Sequence, residues 1–72
     1  SMEFKRLRLF VTLAEELHFA RAAKRAGTTQ SVLSVQIRRL EDETGIELFH
    51  RTTRAVRLTR AGEVFLKEAR FL

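Results

Sequence analysis

The sequence has no cysteine and no proline, and it has only three glycines among its 72 residues. Without cysteine the protein cannot form disulfides, cysteine-based zinc sites, iron–sulfur centres or a thiol nucleophile, and two histidines are too few to hold a metal ion. We therefore expect neither a metal nor a cofactor. The scarcity of chain-breaking residues favours helices over a sheet fold with many turns.

Long apolar runs are also missing. None approaches the roughly 18 residues that a membrane-spanning helix needs, and the N-terminus lacks the basic start and apolar core of a secretion signal. We therefore expect a cytoplasmic protein with no membrane partner. The length suits one small domain, and a hydrophobic content of 44% is too high for a disordered segment. Ser1, ahead of Met2, is expected to be a cloning remnant.

Acidic residues are absent from two long segments of the chain. Residues 17–40 and 48–62 together hold nine Lys and Arg and no Asp or Glu, whereas the remaining 33 residues have a net charge of −4. A basic surface gains free energy by displacing the counterions condensed on phosphates, and acids on the same surface would repel the phosphates. This segregation of charge favours a polyanion-binding surface; the alternative is a basic face that only confers solubility.

Apolar residues recur at helical spacing at the start of the chain and predict a first helix over about residues 3–16. A second, shorter stripe runs from Phe19 to Ala26 and stops at Gly27, which can take the left-handed conformation that ends a helix. The first stripe consists of Phe4, Leu7, Phe10, Val11, Ala14 and Leu17. The alanines of the second helix allow the close, sharply angled crossing that a helix-turn-helix pair requires.

A third helix is predicted from Gln30 to about Thr44, ended by Gly45. Thr29 is its natural N-cap, because a threonine hydroxyl can accept a hydrogen bond from a free amide of the first turn. The buried side of this helix would consist of Leu33, Ile37 and Leu40, which are spaced by four and three residues. The second and third helices are therefore joined by only about three residues.

The pattern changes after Gly45 to short segments with a period of two, at residues 48–50 and 56–58, which predict a small hairpin. Thr59 then caps a last helix, for which we expect a stripe of Ala61, Val64, Phe65, Ala69 and Leu72. No terminating residue follows, so we expect that a longer protein was cut inside this helix. The predicted fold is mainly α, with three helices, a hairpin and the start of a fourth helix.

The side of the third helix that faces away from its buried stripe presents Ser31, Ser34, Val35 and Arg38, with Gln30 at its tip. Gln can pair with adenine, Ser with bases or phosphates, Val can touch a thymine methyl group, and Arg can grip guanine or phosphate. Free amides at the start of the helix add a phosphate site. Each residue alone is an ordinary exposed residue, but their clustering without acids predicts a helix that enters the major groove.

The predicted hairpin carries Arg51, Arg54 and Arg57. In a nucleic-acid complex they would form a wing on the backbone and in the minor groove, and the alternative is that they are solvated charges. The acids at residues 41–43 are interpreted as a solvated helix end, a position that is mildly unfavourable to the helix dipole.

Catalysis is poorly supported by the sequence. His18 and His50 have no carboxylate or nucleophile at an informative spacing, and no glycine-rich phosphate loop is present. We therefore predict that the chain is not an enzyme. Besides duplex binding, two alternatives stay open: a module that binds an acidic protein, and a binder of RNA or an architectural DNA binder without sequence preference.

Two linked runs of the sequence are recognisable as family motifs: FARAAKRAGTTQSVLSVQIRRLEDETGIELFHR and, shortly after it, VRLTRAG. Over Met2 to Leu72 the chain resembles the N-terminal winged helix-turn-helix domain of LysR-type bacterial transcription regulators. The resemblance implies a DNA-binding domain over residues 1–58 and the truncated first turns of a linker helix over residues 59–72. With the reasoning above, it makes the expected DNA contacts Thr29, Gln30, Ser31, Ser34, Val35, Arg38, Arg51, Thr52 and Arg54.

The same resemblance implies the partners of the whole protein. It would bind double-stranded promoter DNA in the bacterial cytoplasm, at the nucleoid, as a homodimer or tetramer paired through the linker helix. RNA polymerase is a further partner that the family allows. A C-terminal domain that senses a small effector is implied, and it is absent from this chain.

The chain departs from the family pattern at several positions. It has Ala26, Thr28 and Thr44 where Leu, an aliphatic residue and Leu are common, which predicts a lighter core and modest thermal stability. It has Ser31 and Val35 where Pro and a basic residue are frequent. We therefore expect a target sequence that differs from those of relatives.

Overall fold

A computed structural model describes residues 2–72 as four helices and one two-stranded antiparallel sheet, in the predicted order. Ser1, which we interpret as a cloning remnant, lies outside the described residues. The mainly α fold and the winged helix-turn-helix architecture are confirmed. The elements are α1 (Met2–Glu16), α2 (Phe19–Ala26), α3 (Gln30–Thr44), β1 (Phe49–Arg51), β2 (Val56–Leu58) and α4 (Arg60–Ala69).

Local capping sets the boundaries of α2 and α3. Gly27 and Gly45 follow these helices in the left-handed conformation, with φ of 71° and 70°, which costs glycine little because it has no Cβ. The hydroxyl of Thr29 accepts a hydrogen bond from the amide of Val32 at 3.1 Å, as expected of an N-cap. The imidazole of His18 has the same role at the start of α2. The prediction of Thr29 and both glycines as helix boundaries is confirmed.

The core lies between α1, α3 and the segment that leads into β1. Its largest fully buried side chains are Phe10, Phe49, Leu13, Leu33, Ile37 and Leu48. The ring of Phe10 lies 5.5 Å from that of Phe49 and 5.2 Å, edge-on, from that of Phe65, and such tilted pairs are favourable beyond their buried area. These rings pack β1 and α4 against α1.

The buried face of α1 differs from the predicted stripe. Phe4 and Leu17 are exposed, whereas Leu13 and Arg6 are buried. Leu17 leaves the helical periodicity because α1 ends at Glu16 and Leu17 itself takes a positive φ of 51°. The stripe therefore fails at both of its ends and holds in the middle.

Arg6 is a buried cation beside the apolar core. Its Nε donates to the Gln36 side-chain oxygen at 2.9 Å, and its Nη1 pairs with the carboxylate of Glu43. Glu43 is exposed at the end of α3, as interpreted, and its carboxylate has in addition a partner that spacing does not reveal, because it satisfies a buried guanidinium. The contact joins α1 to the middle and end of α3.

The face that α4 turns to the core also differs from prediction. Ala61, Val64 and Leu72 are exposed, whereas Leu66, expected off the stripe, is half-buried and packs on the core with Phe65 and Ala69. Gly62 is buried in the first turn of α4, close to the carbonyl group of Leu48. The inward face of α4 therefore includes Gly62, Phe65, Leu66 and Ala69 and differs from the stripe that spacing alone suggests.

The expected lighter core is not found at Ala26, because this residue is exposed. Thr44 is half-buried, and its hydroxyl donates to the carbonyl oxygen of Leu40 at 2.9 Å. The modest thermal stability stays a prediction.

Candidate nucleic-acid interface

The outer face of α3 is free of the core, as predicted. Gln30, Ser31, Ser34, Val35 and Arg38 are all exposed. The opposite side of the helix is closed, because Leu33, Ile37 and Leu40 are buried in the core. We call the five exposed residues the recognition face. An apolar residue such as Val35, 47% exposed, is available for contact with a partner.

The N-terminus of α3 has unsatisfied backbone donors. The hydroxyl of the cap residue Thr29 occupies the amide of Val32, and the carbonyl oxygen of Thr29 accepts from the amide of Leu33. The amides of Gln30 and Ser31 have no acceptor among residues 2–72. Such amides and the positive end of the helix dipole favour an anion.

The wing is the hairpin formed by β1, β2 and the turn between them. Its register pairs Phe49 with Leu58, His50 with Arg57, and Arg51 with Val56. Leu48, predicted in the first strand, is buried just before it. The paired residues Phe49 and Leu58 therefore lie toward the core, and the turn at the tip of the wing is exposed.

Thr52 organises the tip of the wing. Its hydroxyl accepts from the amides of Arg54 and Ala55 at 3.2 and 3.0 Å, and its own amide donates to the carbonyl oxygen of Ala55 at 2.9 Å. The guanidinium of Arg54 is exposed and has no hydrogen bond or ion pair with any described residue. It is a cation on a turn that its neighbours hold in place.

Arg51 has a different environment from Arg54. Its Nη2 donates to Glu41 Oε1 at 2.9 Å, and its guanidinium carbon lies 5.9 and 6.0 Å from the ring centroids of Phe19 and Phe49. These distances are those of cation–π contacts. The predicted DNA contact at Arg51 therefore falls on a side chain that already binds three partners within the fold.

Glu41 is the centre of this group of contacts. Its Oε2 accepts from the amides of Leu48 and Phe49 at 2.8 and 3.3 Å, and its side chain is only 12% exposed. The interpretation of Glu41 as a solvated acid is wrong, because it satisfies two backbone donors of the incoming strand and the Arg51 guanidinium. Spacing could not reveal this, since the donors lie seven to ten residues further along the chain. We name Glu41 and Arg51, with these two amides, the wing clamp.

A second charge cluster ties α1, α2 and α4 together at the back of the molecule. Glu15 accepts from Arg25 at 2.6 Å and from Arg70 at 3.0 Å. The hydrogen bond from Arg25, and then that from Arg70, lowers the pKa of the Glu15 carboxyl group below its usual value. The hydrogen bond to Glu15 likewise raises the pKa of Arg25. These residues are not on the recognition face.

The two histidines differ in their positions in the fold. His18 caps α2, and His50 is an exposed residue of β1 opposite Arg57. No helix between Met2 and Leu72 is long and apolar enough to span a membrane.

Comparison with known proteins adds an independent result. Residues 4–63 match the model of the family described as bacterial regulatory helix-turn-helix proteins of the lysR family. The chain is 52% identical over 69 residues to the transcriptional regulator AlsR of Bacillus subtilis, covering 96% of this chain and 23% of AlsR. It is 56% identical over 68 residues to BudR of Klebsiella aerogenes, covering 94% of this chain and 48% of BudR. The chain thus spans about a quarter of the length of AlsR and about half of the length of BudR.

Solved structures agree with the sequence relatives. A DNA complex of the CbnR DNA-binding domain superposes with a TM-score of 0.90 at 39% identity, over 93% of this chain and 77% of that one. A DNA complex of the BenM DNA-binding domain gives 0.87 at 41% identity, over 92% and 74%. Full-length OxyR of Pseudomonas aeruginosa gives 0.88 at 48% identity, over 93% and 22%. The chain therefore belongs to the lysR family of bacterial regulatory helix-turn-helix proteins, as the DNA-binding domain of a transcription regulator and not as an enzyme.

Proposed function

We propose that the chain binds double-stranded promoter DNA sequence-specifically, with the N-terminal half of α3 in the major groove. The observation that carries this proposal is the recognition face, which is exposed over its whole length and contains no acid. A helix whose buried side anchors it and whose outer side carries hydroxyl, amide and guanidinium groups suits direct readout of base edges. The similar CbnR and BenM domains are solved as complexes with DNA, which supports the binding of double-stranded DNA.

The proposed contacts divide into two classes. Gln30, Ser31, Ser34 and Val35 read bases, because they lie on the half of α3 that enters the groove first. The free amides that follow Thr29 hold a phosphate, which fixes the depth of the helix. Base readout thus depends on the N-terminal half of α3.

Backbone contacts come from the C-terminal part of the recognition face and from the wing. Arg38 grips a phosphate beside the groove, and Thr52 and Arg54 lie along the backbone or the adjacent minor groove. Arg54 suits this role because its guanidinium has no partner within the described part of the fold. These contacts position the domain and carry little sequence information.

The remaining expectations concern the whole protein. We propose that residues 1–58 form the DNA-binding domain and that α4, within residues 59–72, begins a linker helix through which two or four copies assemble. An effector domain would follow in the full-length regulator, which works at the nucleoid in the cytoplasm and contacts RNA polymerase at the promoter. The exposed apolar side chains of Val64 on α4, and of Phe71 and Leu72 just after it, support pairing through this segment.

Titration of duplexes tests the proposal. The duplexes are genomic fragments recovered with the full-length regulator and scrambled versions of them, each measured at two salt concentrations. We expect tighter binding of the recovered fragments at both. Equal affinity for both kinds of duplex at both concentrations would contradict sequence-specific binding, and no binding at low salt would contradict every nucleic-acid function.

Point variants separate the two classes of contact. Ser34→Ala or Gln30→Ala is expected to reduce the discrimination between recovered and scrambled duplexes by about 1–3 kcal/mol. Arg54→Ala should weaken all duplexes evenly and lower the salt dependence by about one phosphate contact. Lys67→Ala, which removes an exposed charge from α4, is the matched control. Identical specificity profiles for the Ser34 and Arg54 variants would refute the division.

A further inference from the structure

The wing clamp connects the helix that we propose reads the bases to the strand that carries the wing. Glu41 lies one turn beyond Arg38 on α3, and its carboxylate accepts from the two amides at the entrance to β1. The third donor is Arg51, the last residue of β1. One nearly buried carboxylate thus holds both ends of β1 against the C-terminal part of α3.

The clamp is unusual because it places an acid beside a basic surface. Phosphates near this surface are repelled by any carboxylate, so electrostatics alone predicts that removing Glu41 strengthens DNA binding. The guanidinium of Arg51 is likewise not free, because it donates to Glu41 and lies against the rings of Phe19 and Phe49. Arg54, three residues further on, has no such partner among the described residues.

We propose that Glu41 and Arg51 are positioning residues for DNA binding: they hold the wing at a fixed angle to α3, so that Arg54 reaches the backbone while the recognition face lies in the groove. Arg51 therefore acts through Glu41 and not by a phosphate contact of its own. This inference rests on the proposed function. It predicts that removing the Glu41 carboxylate weakens DNA binding, whereas electrostatics alone predicts stronger binding.

The first test compares two variants with the same change of charge. Glu41→Gln removes the clamp carboxylate, and Asp42→Asn removes a neighbouring exposed carboxylate that has no hydrogen bond or ion pair with residues 2–72. We expect Asp42→Asn to bind a recovered duplex as tightly as the unchanged protein or more tightly. Glu41→Gln should bind about tenfold more weakly, the effect of losing one charge-assisted hydrogen bond. Equal affinities of the two variants would overturn the proposal.

The second test asks what Arg51 does. A lysine retains a phosphate contact as a point charge but cannot bridge Glu41 and two rings in the same way. We expect Arg51→Lys to bind as weakly as Arg51→Met, and the salt dependence of both to be lower by about one contact, as in Arg54→Ala, because an unclamped wing no longer presents Arg54. Recovery of affinity in Arg51→Lys, or a salt dependence of the double variant Arg51→Met, Arg54→Ala that is lower by about one further contact than that of Arg54→Ala, would assign Arg51 to a phosphate instead.

The third test distinguishes positioning from general stabilisation of the fold. Arg54 does not touch Glu41, so a clamp that only stabilises the fold predicts additive losses in the double variant. We expect instead that Arg54→Ala costs the Glu41→Gln protein less affinity than it costs the unchanged protein, because an unclamped wing no longer presents Arg54. Circular dichroism at the binding temperature verifies that each variant is folded. Additive losses would refute the proposal.

A failure of the clamp proposal can be distinguished from a failure of the proposed function. If the unchanged protein binds no duplex at low salt, the proposed function fails before the clamp is tested. If it binds and the Glu41 and Asp42 variants agree, only the clamp fails. If Glu41→Gln does not fold, the comparison of Arg51→Lys with Arg51→Met decides alone.

Discussion

Gly62 provides the sharpest test of how α4 meets the rest of the domain. A Cβ atom added here would overlap the carbonyl oxygen of Leu48 and lie 3.0 Å from Leu58 Cδ2. The same carbonyl oxygen accepts from the amide of Thr59 at 3.0 Å, so the backbone on both sides is constrained. Gly62→Ala therefore pushes the first turn of α4 away from the segment before β1.

The expected cost follows from two opposing effects. Replacing a helical glycine by alanine favours the helix by up to about 1 kcal/mol. Overpacking against a backbone carbonyl costs about 1–3 kcal/mol or more, and losing the Thr59 hydrogen bond adds about 1 kcal/mol. With the full gain in helix propensity, the net destabilisation is about 1–3 kcal/mol, a large part of the total for a domain of this size. At about 4–8 °C per kcal/mol, the melting temperature falls by roughly 4–24 °C.

Thermal unfolding followed by far-ultraviolet circular dichroism measures this change. Ala61→Gly is the matched control, because it makes the opposite substitution at an exposed position in the same turn. Helix propensity alone predicts that Gly62→Ala stabilises the protein and Ala61→Gly destabilises it. We expect both to lower the melting temperature, Gly62→Ala by more. A melting temperature of Gly62→Ala at or above that of the unchanged protein would refute the close packing of α4.

Two further predictions concern stability. Thr29→Ala removes the hydrogen bond to the Val32 amide and should lower the free energy of unfolding by about 1 kcal/mol in a urea titration; an unchanged midpoint would contradict the cap. Glu15 has a lower pKa in the folded state because of Arg25 and Arg70, so its contribution is present above the unfolded-state pKa and is lost as pH falls through the folded-state pKa. Melting curves at neutral and acid pH should therefore show a smaller loss on acidification for Glu15→Gln than for the unchanged protein, and parallel losses would contradict it.

Features set by neighbouring residues are predictable from the sequence. The bounds of α2 and α3 follow from Thr29, Gly27 and Gly45, because a cap or a left-handed residue acts within one turn of the helix. The recognition face follows equally well, since a helix with one apolar side must turn the other side outward. The fold class and the location of the proposed interface therefore need no tertiary information.

Features that depend on distant partners are not predictable in this way. Arg6 is buried because Gln36 and Glu43, 30 and 37 residues away, satisfy its guanidinium. Glu41 similarly finds its donors across the turn after α3. A charged residue in the sequence indicates exposure by default, and only the fold shows which charges have partners inside it. For this reason the sequence predicts the free Arg54 and the clamped Arg51 as equivalent contacts.

The separation between the two sides of α3 has a consequence for evolution. Ser31, Ser34 and Val35 contribute no buried surface to the cluster that holds the domain together. Mutations at these positions can therefore accumulate with little penalty in folding, so a duplicated gene can drift toward a new operator while its product stays intact. Leu33 and Ile37, on the reverse side of the same helix, lack this freedom.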